Sequence, residues 1–270
     1  MNGLRLFDAH NHLHDERLDP LRAAIDQALV EIGLAGAVVN GTREDDWSAV
    51  TRLAAAHPEV LPSFGLHPWY VASRSPDWLE KLVTMLNTAG PRVGVGEIGL
   101  DAWIPDHDLE DQRRVLLAQL QLAADRDLPA TIHCIQAWGP LLDTLRVAPR
   151  LPERGFLIHA YGGPAEMIVP FAKLGAYFSF NPAHLAAKKH ARREVFRHIP
   201  AERLLVETDA PDMPPPDEYN RHPLPPPADG RMLNHPANLA VTYEELARLR
   251  SIPLEALAAL AEENFRRLFG

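Results

Sequence analysis

Leu4-Arg-Leu-Phe-Asp-Ala-His-Asn-His12 is a short apolar run that turns polar at its end. Leu4–Ala9 has the length and composition of a buried strand. Residues two apart on a strand point to the same side, so His10 and His12 can bind a single ion. The stretch therefore predicts a first strand with metal-binding side chains at its carboxyl end. On its own, His-x-His fits several one-metal and two-metal hydrolases.

Seven further runs of this kind follow, and stretches with helical spacing separate them. The predicted strands are Leu4–Ala9, Ala35–Asn40, Leu61–Leu66, Arg92–Gly96, Ala130–Ile132, Gly155–Ile158, Ala176–Phe180 and Arg203–Glu207. The predicted helices lie near residues 17–32, 45–57, 77–89, 108–127, 137–147, 164–173 and 185–198. Strand–helix alternation predicts a parallel sheet. Eight such units in 270 residues favour a closed (β/α)8 TIM-type barrel over an open sheet.

The last quarter of the chain carries two extra features. The Pro-rich segment Pro211–Pro227 follows the eighth strand, and its position there favours a rigid loop over the barrel mouth rather than a disordered tether. Two amphipathic helices, near 236–250 and 254–268, are expected to pack against the outside of the barrel, with Pro253 at a helix start. No shift in composition divides the chain, so residues 1–270 are predicted to form one domain.

Composition narrows the class of protein and its location. The chain is 46% hydrophobic and 23% charged, which is typical of a globular protein with a large core. No stretch approaches the roughly 20 apolar residues of a membrane span. The strand-like start leaves no room for a signal peptide, and the single cysteine, Cys134, fits a reducing compartment. These features predict a cytoplasmic protein without a membrane partner. They do not indicate its oligomeric state.

The net charge is −9, which bears on nucleic-acid binding. A protein that grips long duplex DNA by its phosphates usually has a basic surface. A nucleic-acid role for this chain therefore requires a local site, with metal ions countering the phosphates.

Metal-binding residue types recur at the predicted strand ends, where the barrel fold places its chemistry. Any one histidine or carboxylate there is more often a hydrogen-bonding or capping residue. Six together indicate a metal site: His10, His12, Glu97, His133, His159 and Asp209. A single catalytic zinc takes about three protein ligands, so six predict two divalent ions bridged by a carboxylate. Mixed imidazole and carboxylate ligands favour zinc, manganese or iron over magnesium.

Several runs together resemble one family. They are Phe7-Asp-Ala-His-Asn-His-Leu13, Gly65-Leu-His-Pro68, Gly94-Val-Gly-Glu-Ile-Gly-Leu-Asp101, Thr131-Ile-His-Cys134, Leu157-Ile-His159 and Leu205-Val-Glu-Thr-Asp-Ala-Pro211. In order and spacing they are similar to the TatD family of metal-dependent hydrolases, within the amidohydrolase superfamily. The resemblance covers essentially the whole chain, including the closing Asn264-Phe-Arg-Arg-Leu-Phe-Gly270.

The resemblance implies two overlapping ligand sets. His10, His12, Glu97 and Asp209 would surround the more buried ion, while Glu97, His133 and His159 would hold the second. Asp209 is the predicted general base, because a strand-end carboxylate beside an activated water can take its proton. Glu207 is either a partner of a ligand histidine or part of a buried structural ion pair.

The runs that should contact substrate depart from the family. Nuclease members often have an arginine after strand five, where this chain has Ile135. The loop after strand six reads His159-Ala-Tyr-Gly-Gly163, and a basic stretch with Lys188, Lys189, Arg192 and Arg193 follows strand seven. This basic stretch either binds phosphate or forms a solvated helix face. The candidate substrate contacts are His67, Tyr161, Lys188 and Lys189.

Three functions follow from these patterns. The first is phosphodiester hydrolysis of the 3′-5′ exodeoxyribonuclease kind, acting on single-stranded or damaged DNA or a short nucleotide, with a hydroxide bridging the two ions. The second is hydrolysis of a carboxylic ester, lactone or amide, as elsewhere in the superfamily. The third is a metal-binding scaffold without catalysis, which has no need of six converging ligands.

Overall fold

Eight parallel strands form one sheet in the order β1 to β8 in the computed structural model, which describes residues 3–225 and 230–270. The strands are β1 Leu6–Asn11, β2 Leu34–Asn40, β3 Val60–Phe64, β4 Gly94–Asp101, β5 Ala130–Ile135, β6 Phe156–Ile158, β7 Ala176–Phe180 and β8 Leu204–Val206. Each strand pairs in parallel with the next one in the chain. All eight predicted strands are present.

Backbone hydrogen bonds join the first strand to the segment after the last one. Asp209 N donates to His10 O at 3.0 Å, and His12 N donates to Ala210 O at 2.7 Å. The sheet therefore curls into a nearly closed ring, as expected from an alternating chain of this length. The predicted (β/α)8 barrel is confirmed.

The strands alternate with helices along the chain. The α-helices are α1 Arg22–Ile32, α2 Trp47–Ala56, α3 Trp78–Thr88, α4 Leu109–Asp125, α5 Trp138–Val147, α6 Ile168–Lys173, α7 His190–Val195, α8 Leu239–Arg250 and α9 Leu254–Phe269. Short 3-10 helices lie at Glu16–Leu21, Pro68–Ser73, Ala165–Met167, Pro182–Leu185, Ala187–Lys189, Ala201–Arg203, Asp217–Tyr219 and Pro236–Asn238. None of the helices in the described ranges is long and apolar enough to cross a bilayer.

The interior of the barrel is apolar at one end and polar at the other. Leu157, Tyr177 and Leu205 are buried in one apolar cluster. Each lies two residues before a polar residue on the same side of its strand, so the interior changes from apolar to polar toward the carboxyl ends. The apolar cluster therefore fills the amino end of the barrel, and the polar residues of the candidate site occupy the carboxyl end.

The last helix closes the amino end of the barrel, which corrects the expectation that it packs outside. Phe265, Leu268 and Phe269 of α9 belong to the same cluster as the interior residues of β6, β7 and β8. Gly270 accepts a hydrogen bond from Arg154, which precedes β6. The helix therefore runs from the β8 side across the bottom of the barrel, because its aromatic end fills the space that the strands leave.

The predicted helix 185–198 is present only in part. Asn181 caps a 3-10 turn by accepting from Ala183 N, and Ala186 is extended, with ψ of 133°. This local hydrogen bonding competes with the α-helix, so only six residues of the range, His190–Val195, are α-helical. The basic stretch therefore divides between a short 3-10 helix with Lys188 and Lys189 and a short α-helix with Arg192 and Arg193, rather than forming one face of a long helix.

The described part of the Pro-rich segment packs on α8, as the prediction of a rigid loop requires. Arg221 forms an ion pair with Glu244 at 2.6 Å, and its backbone N–H donates to Asn238 Oδ1. Residues 226 and 227 of the predicted segment lie outside the described residues.

Candidate active site

The first group of side chains lies between the ends of β1 and β8. Nε2 of His10 is 3.2 Å from Asp209 Oδ1, and Nε2 of His12 is 3.4 Å from the same oxygen. The same two nitrogens lie 3.5 and 3.2 Å from Oε2 of Glu97, respectively. Asp209 has a left-handed backbone, with φ of 57°, which turns its carboxylate back toward β1. Two imidazoles and two carboxylates thus face one point.

A second group meets the other oxygen of Glu97. Oε1 lies 2.9 Å from His159 Nε2, 3.0 Å from His133 Nδ1 and 3.3 Å from His67 Nε2. His133 Nδ1 and His159 Nε2 are 3.2 Å apart. Each oxygen of this single carboxylate therefore faces a different cluster of imidazole nitrogens, so Glu97 could supply one oxygen to each of two ions.

The donor atoms fit divalent metal ions. Three groups have ligand atoms within 4.8 Å of one another: His10, Glu97 and His159; His10, His12 and Asp209; and His67, Glu97 and His133. His10 is fully buried, and its Nε2 has no hydrogen-bond partner, although it points at two carboxylates. An orphaned nitrogen of this kind costs free energy unless an ion or a proton occupies the space before it.

Asn40, at the end of β2, holds both histidines of the first group. Nδ1 of His12 lies 2.8 Å from the Asn40 carbonyl oxygen, which can only accept, so this nitrogen carries the proton. Nε2 of His12 is thereby left with a free lone pair for a metal ion. Nδ1 of His10 lies 3.0 Å from the side-chain amide of Asn40, so one residue fixes the orientation of both rings.

Asp101, at the end of β4, fixes the orientation of His133 in the second group. It is fully buried, and its Oδ2 lies 3.1 Å from His133 Nε2. Burial raises the pKa of Asp101, but hydrogen bonds from His133 and Trp69 outweigh it and lower the pKa below its usual value. The carboxylate is therefore ionised and accepts the His133 Nε2 proton, which leaves Nδ1 free to face Glu97.

Glu207 supports the remaining histidine of the second group. It is fully buried, and its Oε1 lies 3.5 Å from Nδ1 of His159 and accepts from Asn181 Nδ2 at 3.1 Å. Ser179 Oγ donates to its other oxygen. Glu207 was expected to be either a partner of a ligand histidine or part of a structural ion pair. In the structure it contacts the candidate ligand His159, and its other partners are the neutral side chains of Asn181 and Ser179.

Burial and charge set the protonation of the cluster. Burial on its own raises the pKa of Glu97, but the surrounding histidines outweigh it and hold the pKa well below its usual range. Asp209 follows the same pattern, since its contacts with His10 and His12 lower its pKa despite its burial. Burial lowers the pKa of His67 to about 4. Ionised carboxylates and a neutral imidazole are the forms that bind metal ions.

The candidate substrate contacts have different surroundings. His67 is 6% exposed and lies within the second group rather than at the mouth. Tyr161 is fully buried, its hydroxyl donates to Pro164 O, and its ring packs on Trp138 and Phe178. The structure therefore contradicts a substrate contact for Tyr161, because its loop folds inward and makes the ring part of the core.

The two lysines also differ from each other. Lys189 is half-buried, and burial, followed by the charges of Arg192 and Lys188, lowers its pKa, while Asp209 acts in the opposite direction. Lys189 therefore lies within electrostatic reach of the first group. Lys188 is exposed.

Sequence reasoning missed Asn40 and Asp101. Both are polar residues at strand ends, and Asp101 closes the Gly-Glu-Ile-Gly-Leu-Asp run that carries Glu97. That position was the available signal. Their partners, however, lie 30 and 32 residues away in the chain, so the pairing becomes visible only in the folded barrel.

The family follows from comparison with known proteins. A family model described as TatD related DNase matches residues 7–270. The chain belongs to the TatD family. It is 29% identical over 266 residues to the uncharacterized metal-dependent hydrolase YjjV of Escherichia coli strain K12, covering 98% of each protein. It is 28% identical over 272 residues to the 3'-5' ssDNA/RNA exonuclease TatD of the same strain, covering 98% of this chain and 99% of that protein.

The solved structure of YjjV, a TatD homologue from Escherichia coli, has the same architecture. The two superpose with a TM-score of 0.87 at 27% identity, over 98% of this chain and 97% of the other. The predicted family and barrel are thus confirmed, and the chain is a metal-dependent hydrolase of the TatD family.

Proposed function

We propose that this TatD-family protein hydrolyses phosphodiester bonds in single-stranded DNA or short nucleotides, removing nucleotides from the 3′ end. The observation that carries the proposal is the position of Glu97 between two histidine clusters at the carboxyl end of the barrel. The name of a relative, the 3'-5' ssDNA/RNA exonuclease TatD, supplies the substrate class. The cytoplasmic location stays a prediction.

The ligand sets follow the two groups. His10, His12, Asp209 and Oε2 of Glu97 would hold one divalent ion, and His133, His159 and Oε1 of Glu97 would hold the other. Zinc, manganese or iron suits these donors better than magnesium, because imidazole predominates. When bound, such ions supply Lewis-acid chemistry that polarises a phosphoryl oxygen and makes water more acidic.

The side chains of this chain perform the proton transfer and the positioning. Asp209 is ionised, so one of its oxygens can accept the proton of the attacking water, and it is 7% exposed at the open end of the barrel. Asn40 holds His12, and Asp101 holds His133, so that a lone pair of each ring faces the centre. Lys189 lies at the same end and would attract the phosphate next to the scissile one.

A second candidate is hydrolysis of a carboxylic ester or lactone. Ile135 favours it, since this half-buried apolar side chain ends β5 beside the candidate ligand His133. The net charge of −9 also weakens long-range attraction of polyanions.

Rates measured on two substrates with one metal-loaded preparation distinguish these functions. The proposal predicts shortening of a 3′-labelled single-stranded oligonucleotide, and loss of that activity in Asp209→Asn with metal content retained. Hydrolysis of aryl esters without shortening of the oligonucleotide would establish the second candidate instead. An equal background rate in the wild type and Asp209→Asn would indicate a scaffold without catalysis.

A further inference from the structure

Two tryptophans are exposed at the rim of the candidate site. The large apolar side chains that are exposed within the described ranges are Val30, Trp69, Leu79, Trp103, Val147, Val169 and Met232, and Trp69 and Trp103 are the aromatic ones among them. They are 53% and 63% exposed. Burying a tryptophan is worth several times more than burying a small apolar residue, so two exposed tryptophans beside a polar site are candidates for contact with a ligand.

Both tryptophans are fixed to the same buried carboxylate. Nε1 of Trp69 donates to Asp101 Oδ2 at 2.7 Å, and the backbone N–H of Trp103 donates to Asp101 Oδ1 at 2.8 Å. The indole of Trp69 also packs edge-on against His67, with ring centroids 5.5 Å apart. The Trp69 ring is therefore held in one orientation by its N–H while half of its surface faces solvent.

The same carboxylate connects this ring to the centre of the site. Asp101 Oδ2 lies 3.1 Å from His133 Nε2, and His133 Nδ1 lies 3.0 Å from Glu97 Oε1. Three consecutive polar contacts thus lead from the indole to the Glu97 carboxylate. A ligand that stacks on Trp69 and extends along these contacts would reach Glu97.

We propose that Trp69, with Trp103 beside it on the same rim, is a stacking platform for the nucleobase next to the scissile phosphodiester. This inference rests on the proposed function and names the part of the substrate that the rim recognises. Every base has a flat face, so stacking provides affinity without requiring a sequence. It adds to the attraction of phosphates, which the net charge of −9 weakens at long range. A fixed ring also loses little freedom on binding.

The platform predicts a requirement for a base at the 3′ end of the substrate. Two oligonucleotides that differ only in their last two positions, normal nucleotides in one and abasic tetrahydrofuran sites in the other, test it with the metal-loaded enzyme. The wild type should show a KM about 5- to 150-fold lower for the normal oligonucleotide. Trp69→Ala should remove the difference in KM between the two substrates. It also loses the hydrogen bond to Asp101, so any fall in kcat should be equal on both substrates.

Two further variants complete the experiment. Trp103→Ala should reduce the preference for the normal oligonucleotide in the same direction. Val147→Ala is the control, because Val147 is also exposed but ends α5, at the amino end of the barrel. This variant should keep both KM values.

The outcomes separate the two ideas. Cleavage by the wild type with equal KM on both substrates overturns the stacking platform and leaves the proposed function intact. A Trp69→Ala variant that keeps the wild-type ratio of the two KM values overturns the platform too, because Trp69 would then act only by positioning Asp101 and His133. If the wild type cleaves neither oligonucleotide, the proposed function fails, and the platform fails with it.

Discussion

Replacing Asp101 by asparagine tests how the barrel prepares His133 for metal binding. Asp101 accepts three hydrogen bonds, from His133 and Trp69 on one oxygen and from the Trp103 backbone on the other. An asparagine has one oxygen and one donor group, so in either orientation its NH2 meets at least one N–H. His133 can relieve that clash by moving its proton to Nδ1, but Nδ1 then has no lone pair to offer beside Glu97.

The expected cost follows from the contact that is lost. A hydrogen bond to a charged group contributes about 1.5–3 kcal/mol, which corresponds to about 10- to 150-fold in an equilibrium constant. Changes to partners of ligand histidines typically cost about 10- to 100-fold in metal affinity or activity. We therefore expect Asp101→Asn to weaken binding at the second group by one to two orders of magnitude, and binding at the first group by much less.

Calorimetric titration of the metal-free protein with Zn²⁺ or Mn²⁺ measures both affinities. Asp111→Asn is the matched control, because Asp111 is an ion-paired aspartate of α4 whose described partners are Arg74 and Arg114. Thermal unfolding of both variants shows whether the fold is retained. If Asp101→Asn is folded and binds two ions as tightly as the wild type, the proposed tautomer control is refuted.

Three other outcomes follow from the structure. Lys189→Ala should raise the KM for an oligonucleotide and reduce the slope of log KM against log salt concentration by about 0.7. Replacing the exposed Lys188 by alanine should change neither quantity. Equal effects of the two variants would show that both lysines act only as surface charge. Tyr243→Phe should cost about 1–3 kcal/mol in urea unfolding, because the Tyr243 hydroxyl bonds both the N–H and the carbonyl of buried Phe7; an unchanged midpoint would contradict this. Burial lowers the pKa of His184 to about 3 from 6.5, so between these pH values the unfolded chain binds more protons than the folded one, and stability falls as the pH drops below 6.5. His184→Gln should therefore lose about 2 kcal/mol less free energy of unfolding than the wild type between pH 7 and 5, measured by urea unfolding. The same loss in both proteins would refute it.

The metal-binding residues could be proposed from sequence because barrel chemistry occurs at strand ends. Glu97 and Asp209 were recognised by residue type and position alone, and the structure places them within 4 Å of the same two imidazoles. The orientation of the Glu97 side chain decides which of its oxygens faces each histidine cluster. The spacing of residues in the sequence does not predict that orientation. His67 shows the same limit, since a histidine after a strand can point to the mouth or to the centre.

Local and long-range competition explain the other differences. The segment 185–198 has helical spacing, but the Asn181 cap and the extended Ala186 interrupt it. Tyr161 follows a strand end, as a substrate contact would, yet contacts with Phe178 and Trp138 draw it into the core. An amphipathic helix such as α9 could pack outside the barrel or across its amino end. It covers the amino end because its apolar residues fill the space that the strands leave open there.

The seam between β1 and β8 joins residues that are far apart in the chain. Asp8 bonds the backbone and hydroxyl of Thr208 across 200 residues, and Tyr243 reaches Phe7 across 236. During synthesis, these groups of Asp8 and Phe7 in β1 therefore stay without their partners until residues 208 and 243 have left the ribosome. His10, His12 and Asp209 lie on both sides of that seam, so a nascent chain can assemble the first ligand group only after barrel closure.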